Sequence, residues 1–459
     1  MNAAEALGEF VAGLRWSEID SSLQRKVKAH VLDTLGVMCA GVNTAEAAAA
    51  GAVVRRWGGI AEATVVARDW RVPAQDAAFL NAFHARLHTF DDTYEAGPMH
   101  PGSAVVSAAL AVAEANDASG ADFLAAVLAG YEVAVRVSAA LGPAHYAAGF
   151  HNTGTCNAFG ACAAAARIRA LDGTATADAL GLAGEAAAGL RQYQVDGSMV
   201  DTSLNAARAA QTGVTAVELQ RGGLSGPRGI LDGTWGICRV MSAQPDLALL
   251  DRGLGSSYEF SATALKPYPS CRFTHGPIEV LLALRRRYGF DPSEVAAVEI
   301  ATFRESISVS DQPEIWSRLD AILSHQYNAA LALVDGRIAL QSFDAGRISD
   351  PALLALAKKV RVVFDPALQA AYPAKWGHRV SVTLTDGRRL DSHSDHPPGG
   401  PEAPLTWEQV VEKFSALAAP RLGDGAAQRA VAIVAGLEER SDIAELTREL
   451  RGPGAVAAG

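Results

Sequence analysis

QRKVKAHVLDTLGVMCAGV, residues 24–42, decides the fold class of this chain. Its apolar residues recur at helical spacing and Gly41 stands near its end, so the stretch predicts a helix. Ala-rich stretches with Leu or Val on one stripe repeat this pattern, and their small side chains let helix axes approach closely. We therefore predict a compact helical body, with further helices at residues 103–118, 121–141, 156–171, 176–191 and 204–222.

The pattern changes after about residue 265. Residues 296–303, 360–365 and 378–392 have strand character, and Asp386-Gly387 is placed as a hairpin turn. Helices are predicted between these strands at 276–288 and 324–335. A Pro- and Gly-rich linker at 396–406 follows, and Thr406 suits the start of another helix. The chain is thus predicted to be helical, then α+β, then helical again.

The bulk composition indicates a globular protein of two or three domains. The 459 residues are 49% hydrophobic and 20% charged, with a formal net charge of −10. An acidic chain without Lys/Arg clusters argues against a nucleic-acid partner. It does not argue against an anionic substrate, because the local field of a pocket decides what the pocket binds.

Cysteine usage and the apolar stretches point to the cytoplasm. The five cysteines are scattered and contain no CxxC pair, which predicts buried thiols rather than disulfides or a zinc cluster. The first residues carry Glu5 and Glu9 and do not have the pattern of a secretory signal. The most apolar stretches, such as 104–114 and 158–166, are too short for a membrane span, so no membrane is expected.

The densest polar cluster of the chain lies within HTFDDTYEAGPMHPG, residues 88–102. Asp91 and Asp92 are adjacent and cannot both face one way on a regular helix. His100 stands at a loop-to-helix junction, where a side chain can face a pocket. Two other interpretations stay open: a turn with solvated carboxylates, or a metal site, although the HExxH type of ligand spacing is absent. The polar members of the cluster are His88, Asp91, Asp92, Thr93, Glu95 and His100.

Three later clusters also contain residues suited to chemistry. His151 in GFHNTGT (149–155) precedes an Ala-rich helix, whose free N–H groups suit a carboxylate; the alternative is a cap formed by Thr153 or Thr155. LKPYPSCRFTHGP (265–277) holds three cationic or potentially cationic side chains, of which arginine can grip a carboxylate bidentately. A tyrosine begins the apolar helix in SHQYNAALAL (324–333), where core packing is the alternative to a polar role. The side chains of these last two clusters are Lys266, Arg272, His275 and Tyr327.

In this order, the clusters resemble the MmgE/PrpD family, which includes 2-methylcitrate dehydratase, cis-aconitate decarboxylase and iminodisuccinate epimerase. Nearly the whole chain takes part, because the similarity also covers KAHVLDTLGVMCAG (28–41), GYEVAVR (130–136) and ALGLAGEAAAGL (179–190). It continues through GPRGILDGTWG (226–236) to GGPEAPLTWEQVVEKF (399–414). Each piece is weak alone, whereas the ordered set is specific.

The resemblance implies a mainly α fold with a large all-helical domain and a smaller α+β lid domain. The helical domain comprises residues 1–265 and is completed by C-terminal helices at 405–459, and the lid comprises 266–404. The active site of such enzymes lies between the domains. A homodimer that needs neither a metal nor an organic cofactor is also implied.

The resemblance also matches individual residues to the pocket. Together with residue chemistry it predicts two groups, in which histidines and a carboxylate move protons while cationic and polar side chains hold the substrate. The predicted catalytic residues are His100, His151, Lys266 and Asp91. The predicted substrate-binding residues are Thr89, Asp92, Thr93, Asp201, Asn205, Cys271, Arg272 and Tyr327.

Two departures from the family pattern bear on the substrate. Thr89 stands where the family often has the first Asp of DFDD or DFND. In GSMVDTSLNAARAAQTG (197–213), Asp201 or Thr202 stands where many members have Lys, and Asn205 where they have His. An aspartate would repel a substrate carboxylate by roughly 1 to 4 kcal/mol at about 4 Å. A substrate with fewer carboxylates than 2-methylcitrate, or with a polar group opposite Asp201, is therefore expected.

Four functional hypotheses follow. The leading one is a carbon–oxygen lyase, a dehydratase or hydratase that acts on a small hydroxylated or unsaturated polycarboxylate. The second is an isomerase or epimerase that transfers a proton next to a carboxylate, and the third is a decarboxylase. All three develop negative charge conjugated to a carboxylate, which the cationic side chains would stabilise. The fourth is a pseudoenzyme that binds a ligand without turnover.

Overall fold

The fold is mainly α, as the sequence predicts. The structure is a computed structural model that describes residues 1–198 and 200–452, except for the side chains of residues 200 and 201. It divides into two compact units, one formed by residues 1–265 with 406–459 and the other by residues 266–405.

The first unit begins with twelve helices within its described part. Side-chain caps start several of them: Asn2 forms a capping box with Glu5, and Ser119 accepts the N–H of Asp122. The predicted helices are present with boundaries shifted by a few residues. The twelve helices are α1 (Ala3–Gly13), α2 (Ser21–Gly41), α3 (Ala45–Trp57), α4 (Ala74–Arg86), α5 (Gly102–Glu114), α6 (Gly120–Ala147), α7 (Asn152–Thr155), α8 (Asn157–Ile168), α9 (Gly173–Glu185), α10 (Tyr193–Asp196), α11 (Val200–Arg221) and α12 (Ile237–Met241), of which α2, α5, α6, α8, α9 and α11 correspond to the predicted ones.

Helices α5, α6 and α8 form the centre of this unit. Every residue of α5 is buried, and α6 packs closely against α8. By length and composition alone α6 could cross a membrane, but 94% of its most apolar window is buried within the protein. Such burial is typical of a core helix in a globular unit.

The first unit has the helical character predicted for the large domain. Two short antiparallel pairs lie among the helices, β1 (Ala63–Thr64) with β2 (Arg71–Val72), and β3 (Thr93–Tyr94) with β4 (Thr263–Ala264). Each strand has two residues, which is too short for the alternation that identifies strands in a sequence. The β3–β4 pair fixes Thr93 opposite Ala264.

The second unit is an α+β structure built on a four-stranded sheet. The strand order is β6 (Val360–Phe364), β5 (Val295–Thr302), β7 (His378–Leu384) and β8 (Arg389–Ser394), in which β5 and β6 are parallel and the other pairs antiparallel. The predicted hairpin is present, with Gly387 at φ 87° between β7 and β8. The helices of this unit are α13 (His275–Tyr288), α14 (Arg304–Ser310), α15 (Arg318–Leu323), α16 (His325–Val334), α17 (Ala345–Ile348), α18 (Pro351–Ala357) and α19 (Pro366–Ala371).

The chain then returns to the first unit with α20 (Trp407–Leu422), α21 (Asp424–Ala435) and α22 (Ala444–Glu449). Thr406 caps α20 in a capping box with Gln409, which confirms the predicted helix start. Helix α20 packs against α2 at Gly36, where an added Cβ would lie 3.2 Å from the Cα of Phe414. Such a contact is tighter than usual, so glycine at position 36 suits the close approach of the two helices.

Candidate active site

The polar cluster predicted at residues 88–102 forms the turn between α4 and α5. Thr89 has a φ of 54°, a left-handed conformation that is rare for a β-branched side chain. Such conformations cost about 1–3 kcal/mol and concentrate at ligand sites. Thr93 is buried, and its hydroxyl donates to the carbonyl of Met99 at 3.3 Å. The substrate contacts assigned to Thr89 and Thr93 stay predictions.

The carboxylates of Asp91 and Asp92 face different partners, as their adjacency requires. The Asp91 carboxylate accepts a hydrogen bond from Arg86 at 2.8 Å, and both side chains are buried. The Asp92 carboxylate accepts one bond from the Tyr131 hydroxyl at 2.7 Å and one from the Gly102 N–H at 2.9 Å. Burial, assisted by the neighbouring Asp91, raises the pKa of Asp92 to about 7. These protein contacts indicate that Asp92 holds the turn in place, whereas its predicted contact with substrate stays a prediction.

His100 lies at the loop-to-helix junction, as predicted, and its ring is held in one tautomer. Nδ1 lies 2.7 Å from the carbonyl oxygen of Asp92, which can only accept, so Nδ1 carries the proton. Nε2 is then the basic nitrogen of the neutral ring. The Asp91 carboxylate lies 3.8 Å from Nδ1 and stabilises the ring when it is protonated. The side chain of His100 is 17% exposed, which suits a group that exchanges protons with a substrate.

His151 has the opposite tautomer. The Asn205 amide nitrogen lies 3.0 Å from His151 Nδ1 and 3.3 Å from the carbonyl of Leu190, so the amide donates to both. Nδ1 of His151 is therefore the acceptor, and its Nε2 carries the proton. Burial lowers the pKa of His151 to about 3, and the charges of Arg86 and Arg191 act in the same direction. His151 is thus a neutral hydrogen-bond donor at physiological pH.

Helix α7 and the start of α8 connect the two histidines. The Thr153 hydroxyl accepts the backbone N–H of His100 at 3.1 Å, and the Asn157 side chain donates to the His100 carbonyl at 2.9 Å. The alternative prediction, in which Thr153 or Thr155 caps the helix, is wrong. The N-cap residue of α7 is His151, and it forms no side-chain cap. The Thr155 hydroxyl instead lies 2.9 Å from Nε2 of His145.

Four predicted site residues lie in the second unit: Lys266, Cys271, Arg272 and Tyr327. Lys266 is buried. The Arg272 guanidinium donates to the carbonyls of Pro397 and Pro398 within the same unit, and it has further interactions. The Tyr327 hydroxyl donates to the carbonyl of Ser342 at 2.7 Å, which satisfies a fully buried side chain. The Sγ atom of Cys271 lies 3.6 Å from the Ser310 hydroxyl. The roles of all four residues in substrate binding and catalysis stay predictions.

Two family profiles match this chain almost from end to end. The MmgE/PrpD N-terminal domain matches residues 5–250, and the MmgE/PrpD C-terminal domain matches residues 268–439. The chain belongs to the MmgE/PrpD family. This membership confirms the resemblance on which the site prediction rests.

Relatives with curated names are cis-aconitate decarboxylases. The mouse and human proteins of that name are each 27% identical, over 98% of this chain and 94% of their own lengths. A cis-aconitate decarboxylase from Aspergillus terreus is 26% identical, over 82% of this chain and 81% of its own length. At this level of identity the relatives support a lyase that acts on a polycarboxylate.

One charged residue near the site of this MmgE/PrpD protein escaped the sequence prediction. Lys413 of α20 is buried, and its Nζ lies 2.6 Å from Asp33 and 2.8 Å from the carbonyl of Phe90, immediately before Asp91. Its Nζ also lies 3.8 Å from the centre of the Phe90 ring. Burial lowers the pKa of Lys413, while Asp33, Asp91 and Asp92 oppose that shift. Lys413 therefore holds the turn that carries the Asp92 carbonyl and, through it, the ring of His100.

Replacement of Lys413 by methionine is expected to destabilise the protein by about 3–5 kcal/mol, because it deprives the buried Asp33 carboxylate of this cation. Urea unfolding followed by circular dichroism measures the change. Arg429→Met is the control, since Arg429 is 62% exposed in its ion pair with Glu449 on the same unit. That change should cost about 0–1 kcal/mol. Equal effects of the two substitutions would contradict the structural role of Lys413.

The second departure from the MmgE/PrpD pattern lies at the start of α11. Asp201 falls in the first turn of α11, but its side chain lies outside the described part of the structure. Thr202 is buried. Asn205 has a defined task, because it fixes the tautomer of His151. Asn205, which stands where many family members have histidine, thus contacts one of the predicted catalytic residues.

Proposed function

We propose that this protein is a lyase that acts on a small polycarboxylate, with decarboxylation of an unsaturated acid as its reaction. The observation that carries the proposal is the pair of histidines with opposite tautomers. His100 presents a basic Nε2, and His151 presents an Nε2–H donor. The named relatives favour decarboxylation over the dehydration that the sequence put first.

The decarboxylation can be written with these two residues alone. The bond between a carboxylate and its neighbouring carbon breaks and carbon dioxide leaves. The released electron pair forms a new double bond, while the old one delivers its electrons to a carbon next to a second carboxylate. His100, in its protonated form, gives that carbon a proton from Nε2, and water restores the proton afterwards. The Nε2–H of His151 donates to the carboxylate on which negative charge develops.

Dehydration is the second candidate, and the neutral form of His100 favours it. Nε2 would accept a proton from the carbon next to a carboxylate, and the hydroxyl group would leave as water with a proton from a donor. Epimerisation would use the same proton abstraction and return the proton to the opposite face. All three reactions would use His100 and His151, and they differ in the group that leaves.

A substrate panel separates these reactions. Purified protein is incubated with cis-aconitate, citrate, 2-methylcitrate and malate in deuterated buffer, and proton NMR and carbon dioxide release are followed. We expect carbon dioxide and a deuterated unsaturated product from cis-aconitate. An unsaturated acid formed from a hydroxy acid without carbon dioxide would instead support dehydration, and deuterium exchange without net reaction would support epimerisation. Absence of any reaction across the panel would contradict the proposed lyase activity.

A further inference from the structure

Arg191 lies beside His151 because two chain segments pair there. The N–H of His151 donates to the carbonyl of Gly189 at 3.0 Å, and the N–H of Arg191 donates to the carbonyl of Gly149 at 2.9 Å. Phe150 and Leu190 therefore stand opposite each other in an antiparallel bridge. In such pairing His151 and Arg191 are diagonal neighbours on one face, with Cβ atoms about 7–8 Å apart or slightly less. A long arginine side chain spans that distance.

The guanidinium of Arg191 is held in one orientation. Its Nε and Nη2 donate to Oε1 of Gln194 at 3.0 and 2.6 Å, and its Nη1 donates to the carbonyl of Tyr146 at 2.6 Å. The guanidinium carbon lies 3.4 Å from the centre of the Tyr146 ring, so the group stacks on the aromatic face. These bonds use three of its five N–H groups and leave two.

No carboxylate compensates this cation within the part of the chain whose side chains the structure describes. The side chain is neither fully buried nor fully exposed. The other arginine that acts on His151, Arg86, is already paired with Asp91. Arg191 is therefore a preorganised positive charge that no described carboxylate compensates, next to an N–H donor, which is the combination that recognises a carboxylate.

We propose that Arg191 binds a carboxylate of the substrate next to His151. The inference rests on the proposed function and narrows its substrate class, because a compound with an amide or an ammonium group at this position would lose the charge-assisted bonds. Since Gln194 and Tyr146 fix the guanidinium before binding, little side-chain entropy is lost when the carboxylate arrives. Arg191 determines specificity and takes no part in proton transfer.

Binding of tricarballylate tests the inference without turnover. This saturated tricarboxylate has no double bond, so calorimetric titration measures recognition alone. We expect Arg191→Gln to weaken binding by about 10- to 100-fold, the effect of losing charge-assisted hydrogen bonds. Arg191→Lys should weaken binding less, because it keeps the charge but loses the fork and the stacking. A tricarballylate monoamide that lacks the recognised carboxylate should bind the wild type and Arg191→Gln equally.

Arg208→Gln is the matched control, because Arg208 is an exposed arginine on α11 and should leave binding unchanged. Circular dichroism and thermal unfolding establish that each variant is folded. If tricarballylate binds Arg191→Gln as it binds the wild type, or binds neither protein, the inference is overturned. Turnover in the substrate panel judges the proposed function separately, so an active enzyme with unchanged binding in Arg191→Gln would overturn this inference only.

Discussion

Replacement of His100 by alanine is expected to reduce turnover by about 100- to 10,000-fold, the usual contribution of a positioned acid or base. The Asp92 carbonyl holds the ring of His100 at 2.7 Å, and the Asp91 carboxylate lies 3.8 Å away. Each of the three candidate reactions moves a proton, and His100 is a partly exposed histidine whose Nε2 is basic. The effect should appear in kcat, because the proton moves in the chemical step.

The fold should survive this substitution. His100 packs at the surface of its turn, and the bonds of the backbone to Thr153 and Asn157 do not need the ring. Tricarballylate binding and thermal unfolding are therefore expected to stay close to wild type in His100→Ala. His393→Ala is the control, because His393 is exposed on β8 and lies outside the predicted site. Full activity in His100→Ala on a confirmed substrate would show that the assignment of His100 is wrong.

The protein is expected to unfold in mild acid, with stability falling steeply below about pH 6.5. Burial lowers the pKa of His84, His151 and His325 to about 3 each. Above pH 6.5 neither the folded nor the unfolded state binds these protons. As the pH falls towards 3, only the unfolded state binds them, so stability is lost through that window. At pH 5 each of these three histidines lowers the free energy of unfolding by about 2 kcal/mol.

Other groups modify this total. Burial also lowers the pKa of His30 and His378 well below the usual value, which adds to the loss. Asp92 acts in the opposite direction, since its folded-state pKa of about 7 lies above the unfolded value. Its contribution rises as the pH falls from 7 towards 4, by about 3 kcal/mol at pH 5. The five buried histidines outnumber Asp92. The net loss in the free energy of unfolding therefore approaches the whole stability of an ordinary domain, about 5–15 kcal/mol.

His378→Phe provides the direct measurement. Among the described residues, neither ring nitrogen of His378 has a partner in good hydrogen-bonding geometry, and the ring lies against Phe303 and His325. Phenylalanine therefore loses no strong bond and cannot take up a proton. Urea unfolding between pH 7 and pH 4.5 should show a shallower loss of stability in His378→Phe, while His393→Gln should follow the wild type. Parallel pH dependences of the wild type and His378→Phe would contradict this account.

The sequence points to His100 and His151 as candidate site residues, but it does not show which nitrogen of each ring carries the proton. His100 at a loop-to-helix junction and His151 before a helix follow from the pattern of residues, because Pro, Gly and the Ala-rich runs mark the helix boundaries. The tautomers do not follow from it. They depend on the carbonyl of Asp92, eight residues before His100, and on Asn205, 54 residues after His151.

Lys413 and Arg191 are two residues that the sequence alone does not single out. Lys413 is separated from Asp33 by 380 positions, and neither residue has a local pattern that predicts the other. Arg191 follows an Ala- and Gly-rich segment that resembles the family, and only its pairing with residues 149–151 brings it beside His151. Both assignments need contacts between distant parts of the chain.

The sequence is enough to predict the family, the mainly α fold class and the longer helices and strands, and it points to His100 and His151 as candidate site residues. These properties depend on local periodicity, helix boundaries and ordered motifs, all of which are present along the chain. The packing of distant segments sets which nitrogen of each histidine carries the proton and which carboxylates are held by Arg86, Tyr131 and Lys413. It also leaves Arg191 without a carboxylate partner among the described side chains. The physical reason is that hydrogen-bond partners and burial set protonation and charge, and both arise only when distant segments pack together.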